Sequence, residues 1–326
     1  MRAVVCHALG ADAPLVVEEL PAPRPAAGQV LIEVRAAAVN FPDVLMLEGK
    51  YQFKPVLPFT PGGELAGVVK AVGEGVADLA PGDRVLATMQ NGAFAELALA
   101  PRDRVVPIPP GLDYETAAAL MFTYGTSYHA LKDRASLAPG ETLLVLGAAG
   151  GVGLAAVELG ARMGAHVIAA ASTDEKLEAC RSRGAKHTIN YSSEDLRERV
   201  KALTGGQGVD VAYDPVGGGY TELALRSLAW RGRLLVVGFA SGEIPRLPAN
   251  LALLKGASIV GVFWGEFTRR EPASSGANMR ELVEWAAAGR LRPLVSARYP
   301  LARAAEAIAE VRERRSKGKV LVSTAS

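Results

Sequence analysis

From Glu141 onward, apolar strands alternate with helices of about ten residues, and this alternation limits the possible folds more than any other feature of the chain. Strands that alternate with helices indicate βαβ units, in which helices cover both faces of a parallel sheet. The segment is therefore predicted to be a doubly wound α/β domain. Its strands are predicted at residues 142–146, 166–170, 186–190, 209–213 and 233–237.

The strongest local motif joins the first of these strands to the following helix. It reads Leu146-Gly147-Ala148-Ala149-Gly150-Gly151-Val152-Gly153-Leu154. The amides and the dipole of a helix that begins at such a turn can hold a pyrophosphate. Gly150 lets the backbone approach the phosphates, and Gly153 lets the helix and the strand pack closely. Ala148 replaces the first glycine of G-x-G-x-x-G, so the prediction of dinucleotide binding also depends on the alternating run.

The end of the second strand indicates which nicotinamide cofactor is used. An NAD-specific site has a carboxylate there, about 20 residues after the glycine turn, to bind the ribose 2′-hydroxyl. This chain instead has Ala171, Ser172 and Thr173, and Lys176 is the nearest cation. The missing carboxylate favours NADPH. A purely structural interpretation, compatible with the first, makes Ser172 a helix N-cap with Glu175 completing a capping box.

The first hundred residues predict a different kind of module. Strands are predicted at residues 30–36, 65–72 and 84–87, with glycine and proline turns between them, which is typical of a compact, mostly β fold. Asp113, followed by Thr116, is predicted to begin a helix.

The last part of the chain returns to longer helices. Residues 278–288 and 301–314 are predicted helices, and residues 319–322 are a predicted strand. This tail could return to the first module, which would make the middle domain an insertion. The sequence alone permits that arrangement without requiring it.

Composition excludes several classes of protein. A chain of 326 residues suggests two domains, and a net charge of +2 gives no reason to expect binding to nucleic acid or to a membrane surface. No apolar leader opens the chain, and the apolar window at residues 142–160 contains five glycines, so we expect a protein outside the membrane. Cys6 and Cys180 are far apart, as in a reducing compartment such as the cytoplasm. The four histidines are scattered singly, so no metal site is predicted.

An ordered series of motifs resembles the medium-chain dehydrogenase/reductase superfamily. More closely, the chain resembles the zinc-free quinone oxidoreductase (zeta-crystallin-like) branch, over essentially its whole length. The matching segments are Asn40-Phe41-Pro42-Asp43, Gly49-Lys50-Tyr51, Pro58 to Glu64, Ala66 to Val69, Gly82-Asp83-Arg84-Val85, Thr126-Ser127-Tyr128, Gly147 to Gly153, Ile189-Asn190-Tyr191, Asp214 to Gly217 and Gly318-Lys319-Val320.

This resemblance implies a GroES-like, mostly β catalytic domain with an inserted doubly wound parallel-sheet (Rossmann) domain, and a cofactor in the cleft between them. The expected boundaries are residues 1–119 for the first part of the catalytic domain, 120–260 for the NADPH-binding domain and 261–326 for the second part. Zinc-dependent relatives carry a cysteine at or beside Asn40 and a histidine at Gly63. The resemblance therefore implies catalysis without zinc.

The resemblance also implies roles for individual residues. Asn40 and Thr126 would approach the nicotinamide and the substrate, and Tyr51 would donate a hydrogen bond to the substrate. Ala149, Gly150, Gly151, Val152 and Gly153 form the phosphate turn, and Ser172, Lys176, Tyr191 and, more loosely, Arg314 would hold the 2′-phosphate. The nicotinamide half would be lined by Gly238, Phe239, Val262, Phe263 and Trp264. Structural alternatives are a strand-end aromatic for Tyr191, a helix C-terminal cation for Arg314 and a loop anchor for Tyr51.

The predicted function is the NADPH-dependent reduction of a quinone or a similar conjugated carbonyl compound. One alternative is an enoyl-thioester or alkenal reductase on the same scaffold. A second, from another class, is a catalytically silent nucleotide-binding protein with a structural or regulatory role. The apolar strand at residues 258–262 predicts a homodimer formed through strand pairing.

Overall fold

The computed structural model describes residues 1–11 and 13–324. The chain forms two compact units. The first contains residues 1–122 together with residues 279–326, and the second contains residues 123–278. The middle of the chain is thus a unit inserted between two parts of the other one.

The elements follow one another in chain order. The first part of the chain contains β1 (Arg2–Cys6), β2 (Leu15–Glu19), β3 (Gln29–Val39), α1 (Phe41–Leu47), β4 (Glu64–Val72), β5 (Arg84–Thr88), β6 (Leu97–Pro101), β7 (Val105–Pro107) and α2 (Tyr114–Ala118). The middle contains α3 (Met121–Tyr128), β8 (Thr142–Val145), α4 (Gly151–Arg162), β9 (His166–Ala171), α5 (Asp174–Arg181), β10 (His187–Asn190), α6 (Leu196–Leu203), β11 (Val209–Asp214), α7 (Gly219–Ser227), β12 (Leu228–Val236), α8 (Ala249–Lys255), β13 (Ser258–Gly261) and α9 (Trp264–Arg270). The last part contains α10 (Pro272–Ala287), β14 (Val295–Pro300), α11 (Ala304–Arg312) and β15 (Lys319–Ser323).

The first unit is built around a seven-stranded sheet in the order β14-β15-β3-β4-β5-β7, with β6 also paired to β3. The C-terminal strand β15 lies antiparallel to β3, with Val320 opposite Val39. The end of the chain therefore returns to the first module, as the sequence permitted. β3 is long and central, so alanine and valine side chains on both of its faces are buried.

The second unit contains six parallel strands in the order β10-β9-β8-β11-β12-β13. Numbered by their position along the unit, these strands have the order 3-2-1-4-5-6 of a doubly wound sheet. The order reverses between β8 and β11, and ligands of such sheets bind at this switch point, beyond the carboxyl ends of the strands. Leu143, Leu144 and Val145 are fully buried, which explains why β8 shows no polar alternation.

The second unit extends beyond the boundary expected after residue 260. Trp264 packs so closely on α3 that a Cβ on Gly125 would lie 2.8 Å from its ring. The ring of Phe267 stacks on His129 with centroids 3.9 Å apart, and the side chain of Asn278 donates to Asp133 at 2.8 Å. Residues 261–278 therefore belong with the middle unit, and the boundary expected from the sequence lies too early.

Local signals explain several element boundaries. The Asp113 carboxylate accepts a hydrogen bond from the Thr116 amide at 2.8 Å, so the predicted start of α2 is confirmed. Helix α10 begins at Pro272 rather than at Asn278, because proline at the first helical position costs no hydrogen bond. Over residues 1–11 and 13–324, no helix combines the length and the apolar character that a membrane crossing requires.

Candidate active site

The glycine turn lies at the switch point of the second unit, between β8 and α4. Gly147 has a positive φ of 55°, and its carbonyl oxygen accepts a hydrogen bond from the Gly150 amide at 3.0 Å. Gly150 is the N-cap of α4, and the Leu154 amide donates the first helical bond to its carbonyl at 2.8 Å. The turn therefore brings Ala149, Gly150, Gly151, Val152 and Gly153 together at the start of one helix.

This turn has the properties of an anion site. The first amides of a helix have no carbonyl partner within the helix, and the helix dipole adds a partial positive charge. A Cβ on Gly150 would lie 3.3 Å from the Gly147 oxygen, and one on Gly153 would lie 2.2 Å from the same atom. Only glycine at position 153 allows α4 to begin this close to the turn. The site can accept a diphosphate against backbone amides.

A second cluster follows β9 and β10. The Lys176 ammonium lies 3.5 Å from the Ser172 hydroxyl, and the Tyr191 amide donates to the Ala171 carbonyl at 3.1 Å. The Tyr191 ring packs on Tyr220 with centroids 4.7 Å apart. Because both strands are parallel, Ser172, Lys176 and Tyr191 meet at the same edge of the sheet as the glycine turn.

The N-cap of α5 differs from the structural interpretation of the sequence. Thr173, not Ser172, caps this helix, and its hydroxyl accepts a hydrogen bond from the Lys176 amide at 3.3 Å. The helix starts one residue later than a Ser172 cap requires, so Glu175 does not complete a capping box. The Ser172 hydroxyl is thus left to the Lys176 ammonium. The carboxylate of Asp174 accepts a bond from the Asn190 side chain at 3.0 Å.

The loops after β12 and β13 lie at the same carboxyl end of the parallel sheet. Gly238 follows β12, and its amide lies 3.4 Å from the Asp214 carbonyl oxygen. Phe239 is next, and Val262 follows β13, where its amide donates to the Val236 carbonyl at 2.9 Å. Phe263 is the half-exposed N-cap of α9.

Trp264 and Thr126 lie in the same unit. Trp264 is the first residue of α9, and its ring packs against Gly125 of α3. Thr126, the next residue of α3, is partly buried.

Arg314 is different, because it lies in the first unit, just after α11, with a positive φ of 57°. Its role in binding a 2′-phosphate stays a prediction.

A buried polar cluster occupies the first unit around Asn40. The Lys319 ammonium lies 2.5 Å from the Asn40 side-chain oxygen and 3.0 Å from a Glu64 carboxylate oxygen. The side-chain nitrogen of Asn40 donates to that same Glu64 oxygen at 3.0 Å. The other Glu64 oxygen accepts a hydrogen bond from the Phe122 backbone amide at 2.8 Å. Asn40 is 6% exposed and both of its polar atoms are engaged. Its side chain therefore holds the cluster together.

Asp43 and Tyr51 adjoin this cluster. The Asp43 carboxylate accepts the Asn40 backbone amide at 2.7 Å, and burial raises the pKa of Asp43 to about 7. Burial, followed by the negative charge of Asp43, raises the pKa of the Tyr51 hydroxyl. Tyr51 therefore keeps its proton at neutral pH and is able to donate a hydrogen bond.

Several of these residues escaped the sequence reasoning. Glu64 and Lys319 each begin an apolar strand, and a charged residue at such a position needs a buried partner. That signal could have suggested the pair. In the part of the chain that the structure describes, no group of three or more His, Cys, Asp or Glu residues is arranged to hold a metal ion.

Comparisons with known proteins agree with this architecture. The family model of the alcohol dehydrogenase GroES-like domain matches residues 26–110, and that of the zinc-binding dehydrogenases matches residues 151–286. The quinone oxidoreductase-like protein 2 homolog of Nematostella vectensis is 41% identical over 326 residues, covering 99% of this chain and 89% of its own length.

Solved structures give the same result. A probable oxidoreductase from Mycobacterium abscessus superposes with a TM-score of 0.89 at 39% identity, covering 99% of this chain and 98% of its own. The Escherichia coli quinone oxidoreductase, crystallised with NADPH, has a TM-score of 0.92 at 30% identity, covering 99% and 100%. The predicted combination of a GroES-like domain with a Rossmann domain is confirmed. The chain belongs to the medium-chain dehydrogenase/reductase superfamily, among its quinone oxidoreductase-type members.

Proposed function

We propose that this protein is an NADPH-dependent oxidoreductase that transfers a hydride to a quinone or a similar conjugated carbonyl compound. The main support is the glycine turn at the switch point of a six-stranded parallel sheet, with a lysine and a serine at the end of the neighbouring strand. A dinucleotide whose diphosphate lies on the turn would have its adenosine ribose near that strand end. The Escherichia coli relative crystallised with NADPH supports the same assignment.

The preference for NADPH over NADH follows from charge at the end of β9. Ala171 occupies the last position of the strand, where a carboxylate would repel a 2′-phosphate. The Asp174 carboxylate, which is the nearest acid in sequence, is engaged by the Asn190 side chain. Ser172 and Lys176 therefore offer a hydroxyl and an ammonium to the phosphate.

The chain's own residues would then bind and orient the reactants. The amides of Gly151, Val152 and Gly153 would hold the diphosphate, and the backbone around Gly238 and Val262 would line the nicotinamide half. The hydride itself would come from nicotinamide C4 of the bound cofactor. The buried Trp264 side chain would help to exclude water from that region.

Two hydroxyl groups are the proposed donors to the substrate. Tyr51 stays protonated at neutral pH, because burial and Asp43 both raise its pKa, so it can donate to a carbonyl oxygen that gains negative charge. Thr126 is the second candidate donor. Asn40 contributes indirectly, since its side chain fixes Glu64 and Lys319.

We propose that the reaction needs no zinc. Where zinc-dependent members of the superfamily carry a cysteine and a histidine, this chain has Asn40 and Gly63. The Lys319 ammonium, 3.0 Å from Glu64 and 3% exposed, would also repel a divalent cation at this position. A quinone or an enone is already electrophilic, so its reduction requires less help from a Lewis acid than the oxidation of an alcohol.

We also propose a homodimer in the cytoplasm. Strand β13 forms an edge of the parallel sheet, and its Ile259 side chain is 44% exposed. An apolar edge of this kind favours pairing with a second copy of the chain. Cys6 and Cys180 are both buried and unpaired, which suits a reducing compartment.

The function is tested by following NADPH oxidation with a naphthoquinone, a simple enone and crotonyl-CoA. We expect the quinone to be reduced with the highest kcat/KM, and NADPH to be preferred over NADH. Faster turnover of crotonyl-CoA would assign the protein to the enoyl-thioester reductases instead. Tight binding of NADPH without reduction of any of the three compounds would identify a catalytically silent nucleotide-binding protein.

A further inference from the structure

Two buried hydroxyl groups lie beneath the glycine turn of the second unit. The Ser127 hydroxyl of α3 lies 2.8 Å from the Val152 carbonyl oxygen in the first turn of α4. The Tyr213 hydroxyl, near the end of β11, lies 2.9 Å from the Ser127 oxygen. Both side chains have 0% exposure. The three groups form a chain of hydrogen bonds that leads from the central strand to the start of the helix.

The direction of these hydrogen bonds follows from their chemistry. A carbonyl oxygen can only accept, so the Ser127 hydroxyl must donate its single proton to Val152. The Tyr213 hydroxyl must then donate to the Ser127 oxygen. Burial raises the pKa of Tyr213 far above its ordinary value, so this donor keeps its proton at any working pH. This series of hydrogen bonds therefore directs the Ser127 hydroxyl proton to the Val152 carbonyl oxygen.

The Val152 carbonyl belongs to the same peptide group as the Gly153 amide. A peptide group is planar and trans, so its N–H points opposite to its C=O. A hydrogen bond that holds the Val152 oxygen therefore also fixes the direction of the Gly153 N–H. It polarises that N–H as well, because hydrogen bonds in series strengthen one another.

We infer that Ser127 and Tyr213 are positioning residues for the cofactor, which aim the Gly153 amide at the diphosphate. This inference rests on the proposed binding of NADPH along the turn. Neither side chain reaches the cofactor itself, since both are fully buried. They act through the peptide group between Val152 and Gly153.

The helix does not need this bond for its own hydrogen bonding. The carbonyl of a second helical residue already accepts the amide four residues later. Ser227, another buried serine of the unit, donates locally to the Leu223 carbonyl, four residues earlier in α7, at 2.8 Å. Ser127 instead reaches a carbonyl that is 25 residues away in sequence. A role at the glycine turn therefore accounts for the hydrogen bond between Ser127 and Val152 better than a role in completing the helix.

The test compares four variants by calorimetric titration with NADPH and by chemical unfolding. Ser127→Ala removes the donor to Val152, and Tyr213→Phe removes only the support behind it. The double variant, which combines Ser127→Ala with Tyr213→Phe, removes both hydrogen bonds without leaving a buried hydroxyl unpaired. Ser227→Ala is the matched control, because it loses a similar buried serine bond away from the glycine turn.

We expect Ser127→Ala to raise the Kd for NADPH about tenfold, the scale of one lost hydrogen bond to a charged group. Steady-state kinetics with a quinone should show a higher KM for NADPH and a kcat close to that of the wild type. Tyr213→Phe should have a smaller effect, and Ser227→Ala should leave the Kd unchanged.

The double variant separates positioning from general stability. It should regain part of the stability that Ser127→Ala loses, because no hydroxyl is left buried without a partner. Its Kd for NADPH should nevertheless stay raised. A Kd that recovers together with stability, or a Ser127→Ala variant with the affinity of the wild type, would overturn the inference. Failure of the wild-type protein to bind NADPH would instead refute the proposed function.

Discussion

Gly153 faces the carbonyl oxygen of Gly147 so closely that a Cβ on Gly153 would lie 2.2 Å from that oxygen. The same Cβ would lie 2.9 Å from the Cα of Ala148. Both neighbours are backbone atoms, which cannot move away as the end of a flexible side chain could. Glycine at position 153, which has no Cβ, therefore sets the position of α4 relative to β8. It also sets the direction of the first amides of the helix.

Gly153→Ala should therefore displace the start of α4. We expect a loss of about 1–3 kcal/mol in the free energy of unfolding, which is typical of overpacking. The Kd for NADPH should rise more than tenfold, measured by titration calorimetry. Gly219→Ala is the control, because Gly219 also lies in the first turn of a helix and a Cβ there would meet no atom within 4 Å. Equal effects of the two substitutions would contradict this account.

Lys176→Ala should change which cofactor the protein prefers. The ammonium lies 3.5 Å from the Ser172 hydroxyl at the end of β9, where the 2′-phosphate is expected. We expect kcat/KM with NADPH to fall about tenfold, the scale of one charge-assisted hydrogen bond, and kcat/KM with NADH to stay nearly unchanged. Lys201→Ala, an exposed lysine of α6, should alter neither value. Equal losses with both cofactors would refute the phosphate assignment.

Lys319→Met should strongly destabilise the first unit. The substitution leaves the fully buried Glu64 carboxylate without its cation, at a cost of about 3–5 kcal/mol in chemical unfolding. Adding Glu64→Gln should restore part of this loss, because the buried charge is then removed. Lys70→Met breaks an exposed pair with Glu33, so it should cost less than about 1 kcal/mol. Similar losses for Lys319→Met and Lys70→Met would be incompatible with a buried pair.

Asp43 should make stability depend on pH. Its pKa is about 7 in the folded protein, against about 3.9 in an unfolded chain, so between these values the folded state holds an extra proton. The free energy of unfolding should therefore fall as pH rises from about 4 to 7, by at most about 4 kcal/mol. Asp43→Asn should remove this fall in urea titrations at several pH values.

The exposed Asp78 provides the control for this pH dependence. Its hydrogen bond to Arg102 lowers the pKa of Asp78, which contributes a dependence of the opposite sign. Asp78→Asn should leave the fall between pH 4 and 7 in place. The account of Asp43 fails if Asp43→Asn and the wild type lose stability equally over this range.

Ile259→Lys tests the proposed dimer. A charge on the apolar edge strand β13 should prevent a second copy from pairing there. We expect light scattering to give a dimer mass for the wild type and a monomer mass for the variant. Leu9→Lys is the control, because Leu9 is an apolar residue of the first unit with 37% exposure, and it should leave the dimer intact. A monomeric wild type, or a variant that still dimerises, would rule out this edge as the interface.

The parallel sheet and the glycine turn were predictable because their signals are local. Buried strands such as 142–145 are short apolar runs, and helices between them have regular apolar spacing. Ala149 to Gly153 were identified because a turn between a strand and a helix has few sequence solutions. Ser172 and Lys176 drew attention because no carboxylate ends the second strand, whereas Tyr191 was implied only by the resemblance to the quinone oxidoreductases.

The remaining features depend on contacts that no local pattern reveals. The Lys319–Glu64 pair joins residues 255 positions apart, and the Ser127–Tyr213 pair joins residues 86 positions apart. The boundary that the resemblance implied after residue 260 lies too early, because Trp264 and Phe267 pack on Gly125 and His129 of the middle unit. Tertiary packing decided each of these features.

A crystal structure of the protein with NADPH is the most direct test of the central claim. We predict that the diphosphate lies against the amides of Gly151, Val152 and Gly153, and that the 2′-phosphate contacts Lys176. A glycine turn blocked by side chains, with the dinucleotide absent or bound elsewhere, would contradict the account.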